Sequence, residues 1–173
     1  MKNTVTILFL SLASAFIISS CNKDETSNSL INLSDSAFVR KASMSNFAEI
    51  TLGQIAADSS SDPAIAQFGQ QMVTEHTAAQ QQLQTIASAI GIGLTTSLDG
   101  PHQSLVDSLL TYKDRAFDSI YIHSQVRDHQ MTVDFCKEYS AYALQKDLKQ
   151  YMYSTLPAIT QHLQAASTLA SKY

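Results

Sequence analysis

Six side chains are placed where they could hold a cation or move a proton: Glu49, Glu75, His76, Asp128, His129 and His162. Glu75-His76 closes the string Phe68-Gly69-Gln70-Gln71-Met72-Val73-Thr74-Glu75-His76, an acid and an imidazole set into a long apolar stripe. Asp128-His129 is a second such pair, and Ile159-Thr160-Gln161-His162 repeats the theme near the C-terminus. Imidazole nitrogens and carboxylate oxygens are the usual ligands of zinc and its neighbours, so a divalent metal ion is the cofactor such a set would hold. Adjacent helical residues diverge by about 100°. At least one of Glu75 and His76 therefore faces the interior, where a polar group needs a partner.

Four long helices must carry these groups. Ser34 or Asp35 offers a cap for the first, whose inward face reads Phe38, Ala42, Ala48, Leu52 and Ile55, with Glu49 beside it. Asp62-Pro63 opens the second, Ile65, Met72, Ala79 and Ile86 recur in it at intervals of seven, and Gly91 and Gly93 close it. Gly91 to Gly100 reads as a longer crossover, followed by a short helical piece from Pro101. The third long helix is expected over about 114–144 and the fourth over about 146–170, where Pro157 should kink or split it. No alternating strand pattern occurs. The expected fold is all-α, an antiparallel four-helix bundle whose crossover contains a short extra helix. Glu49, His76, His129 and His162 would then meet at one level. His102 falls in a loop and His123 on a polar stripe, so both are expected to face solvent.

The first 20 residues read as a secretory signal: Lys2, then an apolar run from Thr4 to Ser20 too short to span a bilayer. Ile18-Ser19-Ser20-Cys21 resembles the lipobox of bacterial lipoproteins, which implies lipidation at Cys21 and a membrane partner through that anchor. Asn22-Lys23-Asp24-Glu25 resembles the export signal of surface lipoproteins of the Bacteroidetes group, so the expected address is the outer membrane, on its periplasmic or cell-surface face. Residues 21–33 are polar and read as a flexible tether, leaving 34–173 as one domain. With Cys21 acylated, Cys136 has no disulfide partner and reads as a small buried hydrophobe. Eleven Lys and Arg against 15 Asp and Glu, without basic clusters, exclude a nucleic-acid partner.

Several strings are similar to the bacterial domain of unknown function 4142 family: Phe38-Val39-Arg40-Lys41-Ala42, Ala48-Glu49-Ile50-Thr51-Leu52-Gly53, Phe68 to Val73, Glu75-His76-Thr77, Phe117-Asp118, Tyr121, Asp128-His129, and Leu156-Pro157 with His162. The resemblance spans about 34–169. It implies a ferritin-like bundle in a secreted or outer-membrane-associated lipoprotein, and no established activity.

Two functions follow from these residues. In the first, acids and imidazoles pair with one another, with Tyr121 or with backbone, and form a structural layer that sets helix register. Glu49 with His76 or His129 would be such a pair. The protein is then a non-catalytic envelope lipoprotein with an interaction or stress-related role. In the alternative it is a metal-binding or metal-dependent redox protein. Di-iron bundles use Glu-x-x-His, but Val73, Val126 and Ile159 stand three residues before His76, His129 and His162. That spacing argues against a di-iron centre and leaves a single ion. No catalytic residue is assigned: no Ser-His-Asp order, Gly-rich phosphate loop or Cys-x-x-Cys is present.

Overall fold

The computed structural model describes residues 24–142 and 144–173, with side chains from residue 34. The signal segment, Cys21 and the first half of the export motif lie outside them. Among the described residues the chain is all-helical: α1 (Asp24–Ser59), α2 (Pro63–Ala89), α3 (Gly100–Thr111), α4 (Asp114–Ser140) and α5 (Lys146–Ala170).

The expected stops and starts hold at α2. The Asp62 carboxylate accepts from the Ala64 N–H at 2.8 Å, and Pro63 takes the first helical position, where a missing N–H does no harm. Gly91 adopts φ 73° past its end while Ile92 N–H returns to the Ala87 carbonyl. Three boundaries differ from the sequence reading. Helical backbone begins at Asp24, since no Pro or Gly interrupts residues 24–37; Asp35 instead accepts from the Gln145 N–H at the α4–α5 turn. α4 stops at Ser140, before the expected 144. α5 runs through Pro157 without a break.

Two hairpins, α1–α2 and α4–α5, make up most of the packing, and they meet through α2 against α5 and α1 against α4. Gly53 and Gly69 make the close approach of α1 and α2 possible. A Cβ at Gly69 would stand 2.6 Å from the Gly53 carbonyl oxygen, and one at Gly53 2.7 Å from that of Gly69. The core falls into two apolar clusters. One contains Leu52, Ile65, Phe68, Met72, Phe117 and Tyr121; the other contains Phe38, Leu83, Cys136, Leu148 and Met152. Each long helix carries buried polar residues between the clusters: Asn46 and Glu49, His76, Gln125 and His129, and His162. Cys136 is buried as expected, and burial pushes its thiol up to about 11. Among the described residues, no helix is long and apolar enough to cross a membrane.

Candidate metal centre

The layer between the clusters is built around three rings. His76 of α2, His129 of α4 and His162 of α5 have centroids 5.3–5.7 Å apart. Each is at most 6% exposed. Phe68, two turns before His76, lies edge-on to His129 and His162 at 6.4 and 6.5 Å and seals one side.

Each imidazole is held by its outer nitrogen. His129 Nδ1–H donates to the Gln125 carbonyl at 2.9 Å, one turn back on α4. His162 Nε2–H donates to Glu75 Oε2 at 2.9 Å across to α2. His76 Nδ1–H donates to Asn46 Oδ1 at 3.0 Å. With its Nδ2 donating to Tyr151 OH and to Gln80 Oε1, the Asn46 amide presents Oδ1 to the ring. Carbonyl and carboxylate oxygens only accept, so each outer nitrogen carries the proton and each inner one a lone pair. The inner atoms, His76 Nε2, His129 Nε2 and His162 Nδ1, are buried and have no hydrogen-bond partner. One nitrogen from each of the three rings lies within 4.8 Å of the others. At that upper bound a point equidistant from all three is about 2.8 Å from each, so reaching the ~2.0–2.1 Å of a metal–imidazole bond requires shifts below about 1 Å.

Electrostatics favours the same protonation state. Burial, then the two neighbouring rings, hold His76 well below the usual imidazole range. Burial also lowers His129, against the pull of the Gln125 carbonyl and Asp128, and lowers His162, against Glu75. Neutral imidazoles are the form that binds metal.

The acids behave differently. Glu75 sits at the rim, with its side chain 42% exposed, and acts through His162. Glu49 is buried, with Oε1 3.8 Å from His129 Nδ1, on the outer edge of the ring. Burial and then the Asp128 charge raise its carboxyl to about 8, which favours the neutral acid. Its Oε2 makes no hydrogen bond, and neither do Tyr121 OH and the Gln125 amide nearby. Asp128 turns away from the rings to the Arg127 guanidinium at 2.9 and 3.2 Å.

His102 corrects the expectation of an exposed loop residue. It lies in the first turn of α3, mostly buried, between Asp99 at 2.5 Å and Asp128 at 3.8 Å. Asp99 caps α3 through the His102 N–H, which brings the ring inward. His123 is exposed as expected. The sequence reading missed Asn46 and Gln125. Asn46 lies three residues before Glu49 and Gln125 four before His129, each on the same helical face as its neighbour, and that spacing was the available signal.

A family model described as "Domain of unknown function (DUF4142)" matches residues 21–169. No curated protein and no solved structure matches the chain.

Proposed function

The chain belongs to the DUF4142 family, whose description names no activity, and we propose from the site itself that the protein binds one first-row transition-metal ion through His76 Nε2, His129 Nε2 and His162 Nδ1. One observation carries this reading: three buried lone pairs converge from three helices, and each ring's far nitrogen is anchored on an acceptor. Anchored outer nitrogens are the arrangement that orients metal-binding histidines, and their partners typically matter 10–100-fold in affinity. Three orphaned buried acceptors are otherwise unfavourable by about 1–3 kcal/mol each. A cleft of about 310 Å³ between α2 and α5, edged by Glu75 and Thr155, reaches His76 and His162 and supplies access from solvent. Three imidazoles leave a fourth coordination position for water or a small ligand.

The Glu75–His162 hydrogen bond is the observation that favours the other reading, a polar layer that only sets helix register. Metal analysis of protein purified without chelator or affinity tag separates the two. One ion per chain, lost in His76→Ala and His129→Ala, supports the metal centre. No bound metal after dialysis against zinc and copper salts, with all three histidines intact, overturns it.

We read the two facing hairpins as a ferritin-like bundle, and residues 1–20 as a signal preceding a lipidated Cys21 that tethers the domain to the outer membrane. The lipobox pattern supports the tether. Cys21→Ser should move the protein from the membrane to the soluble fraction; unchanged fractionation would refute the anchor.

A further inference from the structure

Most of the sulfur among the described residues lines one cleft. The described residues include four methionines, Met44, Met72, Met131 and Met152, and one cysteine, Cys136. Three of those methionines and Cys136 line a single narrow cleft of about 50 Å³, whose wall also includes His76 with its anchor Asn46, and Lys41, His102 and Asp128. They come from three helices: Met44 from α1, Met131 and Cys136 from α4, Met152 from α5. They also lie at graded depth. Met131 is 54% exposed, a costly position for so apolar a side chain, Met44 is half-buried, and Met152 is fully buried. Met72 sits one turn before His76 on α2, in the core beneath it. Packing explains Met152 and Met72, and Met131 stands at the solvent end of the cleft.

We infer that the ion taken by this centre is copper in its cuprous state, admitted along the methionine-lined cleft. The inference rests on the trisimidazole site proposed above and names its ion. Thioether and thiol sulfurs are soft donors that hold Cu(I) and have little affinity for hard divalent ions. The centre itself argues the same way. Its three donors are neutral, and Glu49 stands on the outer edge of His129 rather than among the inner nitrogens. The desolvation penalty of an ion grows with the square of its charge, so a neutral cage leaves less charge to compensate with a monovalent ion than with a divalent one. Cu(I) is also satisfied by three donors. The cleft between α2 and α5 is larger, with Glu75 at its rim, and suits a hydrated divalent ion; it is the competing route.

The test uses the full-length protein in detergent, without oxygen, titrated with Cu(I) buffered by a coloured cuprous chelator and, separately, with Zn(II). Expected are one Cu(I) per chain and displacement of bound Zn(II) by equimolar Cu(I). Replacing the thioethers with the nearly isosteric leucine, in Met44→Leu/Met131→Leu/Met152→Leu, should slow Cu(I) uptake at least tenfold, with stoichiometry and Zn(II) uptake unchanged. Met131→Leu alone, at an exposed position that cannot compromise folding, should slow it measurably. Zn(II) bound one to one and not displaced overturns the cuprous inference and leaves the metal centre standing. Failure of both ions to bind overturns both. Wild-type Cu(I) uptake rates in the leucine variants overturn the route.

Discussion

Two buried polar clusters in this molecule obey different rules. At the α1–α2 turn, Asp118 of α4 is 1% exposed and accepts from the hydroxyls of Ser60 and Ser61 at 2.5 and 2.6 Å. Asp62 next to them caps α2 and accepts from Tyr173 OH at 2.9 Å, and the Arg115 guanidinium covers the Tyr173 ring at 4.7 Å. Each of these acids has partners, and the cluster ties the turn to α4 and the C-terminus. The central layer has the opposite character. All seven unpartnered buried side-chain polar atoms among the described residues belong to its three histidines or to Glu49, Tyr121 and Gln125 beside them. A layer that only sets register should resemble the Asp118 cluster, because unmatched buried groups weaken a fold. The contrast is the physical ground for assigning function to one cluster and structure to the other.

The largest effects should come from removing one member of each. His129→Leu takes out an imidazole whose inner nitrogen is unpaired, so the metal-free protein should lose under about 1 kcal/mol, while ion affinity should drop by about 1000-fold or more because a three-donor site becomes a two-donor site. Asp118→Ala should do the reverse. It removes two hydrogen bonds made by a buried carboxylate, so about 3 kcal/mol of stability is lost, a fall in Tm of roughly 10 °C for a chain this size, with ion affinity unchanged. Thermal melting and metal titration on both variants check this. Equal destabilisation by the two substitutions would erase the distinction between the clusters.

The next effect couples backbone packing to the centre. Ala is the better helix former by about 1 kcal/mol, yet Gly69→Ala would set its Cβ 2.6 Å from the Gly53 carbonyl. Backbone cannot move aside as a side chain can, so overpacking should win, with a net loss of about 1–3 kcal/mol in urea unfolding. Splaying α1 from α2 also pulls Asn46 away from His76, so ion affinity should fall as well. A stabilised Gly69→Ala would mean that the two helices slide freely past each other.

Acid and base should act on the central layer with opposite signs. The folded-state pKa of Glu49 is raised from 4.5 to about 8, so between those values the folded protein holds a proton that the unfolded chain has lost. Its contribution is present below pH 4.5 and disappears as pH rises through 8. The three imidazoles are depressed from 6.5, so their contribution is present above pH 6.5 and disappears as pH falls through the folded values. These groups together place maximum stability of the metal-free protein near pH 6.5. Glu49→Gln should flatten the decline between pH 6.5 and 8, a slope of at most about 1.4 kcal/mol per pH unit, and steepen the rise between pH 4.5 and 6.5, where the Glu49 proton opposes the imidazoles. An unchanged alkaline limb in denaturant melts across that range would show that Glu49 ionises normally.

Much of this was legible in the residues. Helix number, the α2 cap and stop, the crossover and the inward course of His76, His129 and His162 follow from periodicity and from Asp62-Pro63 and Gly91, because those signals are local. Less legible was which acid goes with which ring. Glu75 sits on the rim and Asp128 turns to Arg127 because neighbouring residues on a helix point about 100° apart, and helical periodicity does not say which of the two faces inward. His102 read as a loop residue because its inward position depends on where the crossover is laid across α4. Asn46 and Gln125 passed as polar filler, although their buried partners three and four residues away mark the same face.

The smallest predicted effect concerns a histidine that shares its helix and its local bond with the centre. His123 Nδ1–H donates to the Ser119 carbonyl at 2.8 Å, four residues back, just as His129 donates to Gln125 at 2.9 Å. The two differ in direction alone. Six residues place His123 about 240° round α4 from His129, and it faces solvent. If the anchoring bond by itself made a metal site, His123 would be half of one. The convergence of three rings is what the proposal requires, so His123→Ala should change stability by less than about 0.5 kcal/mol and leave stoichiometry and affinity for the ion untouched. Melting curves and a metal titration on that variant, run beside His129→Leu, isolate direction from local bonding. Loss of bound metal in His123→Ala would place the ion on the outer face of α4, outside the bundle.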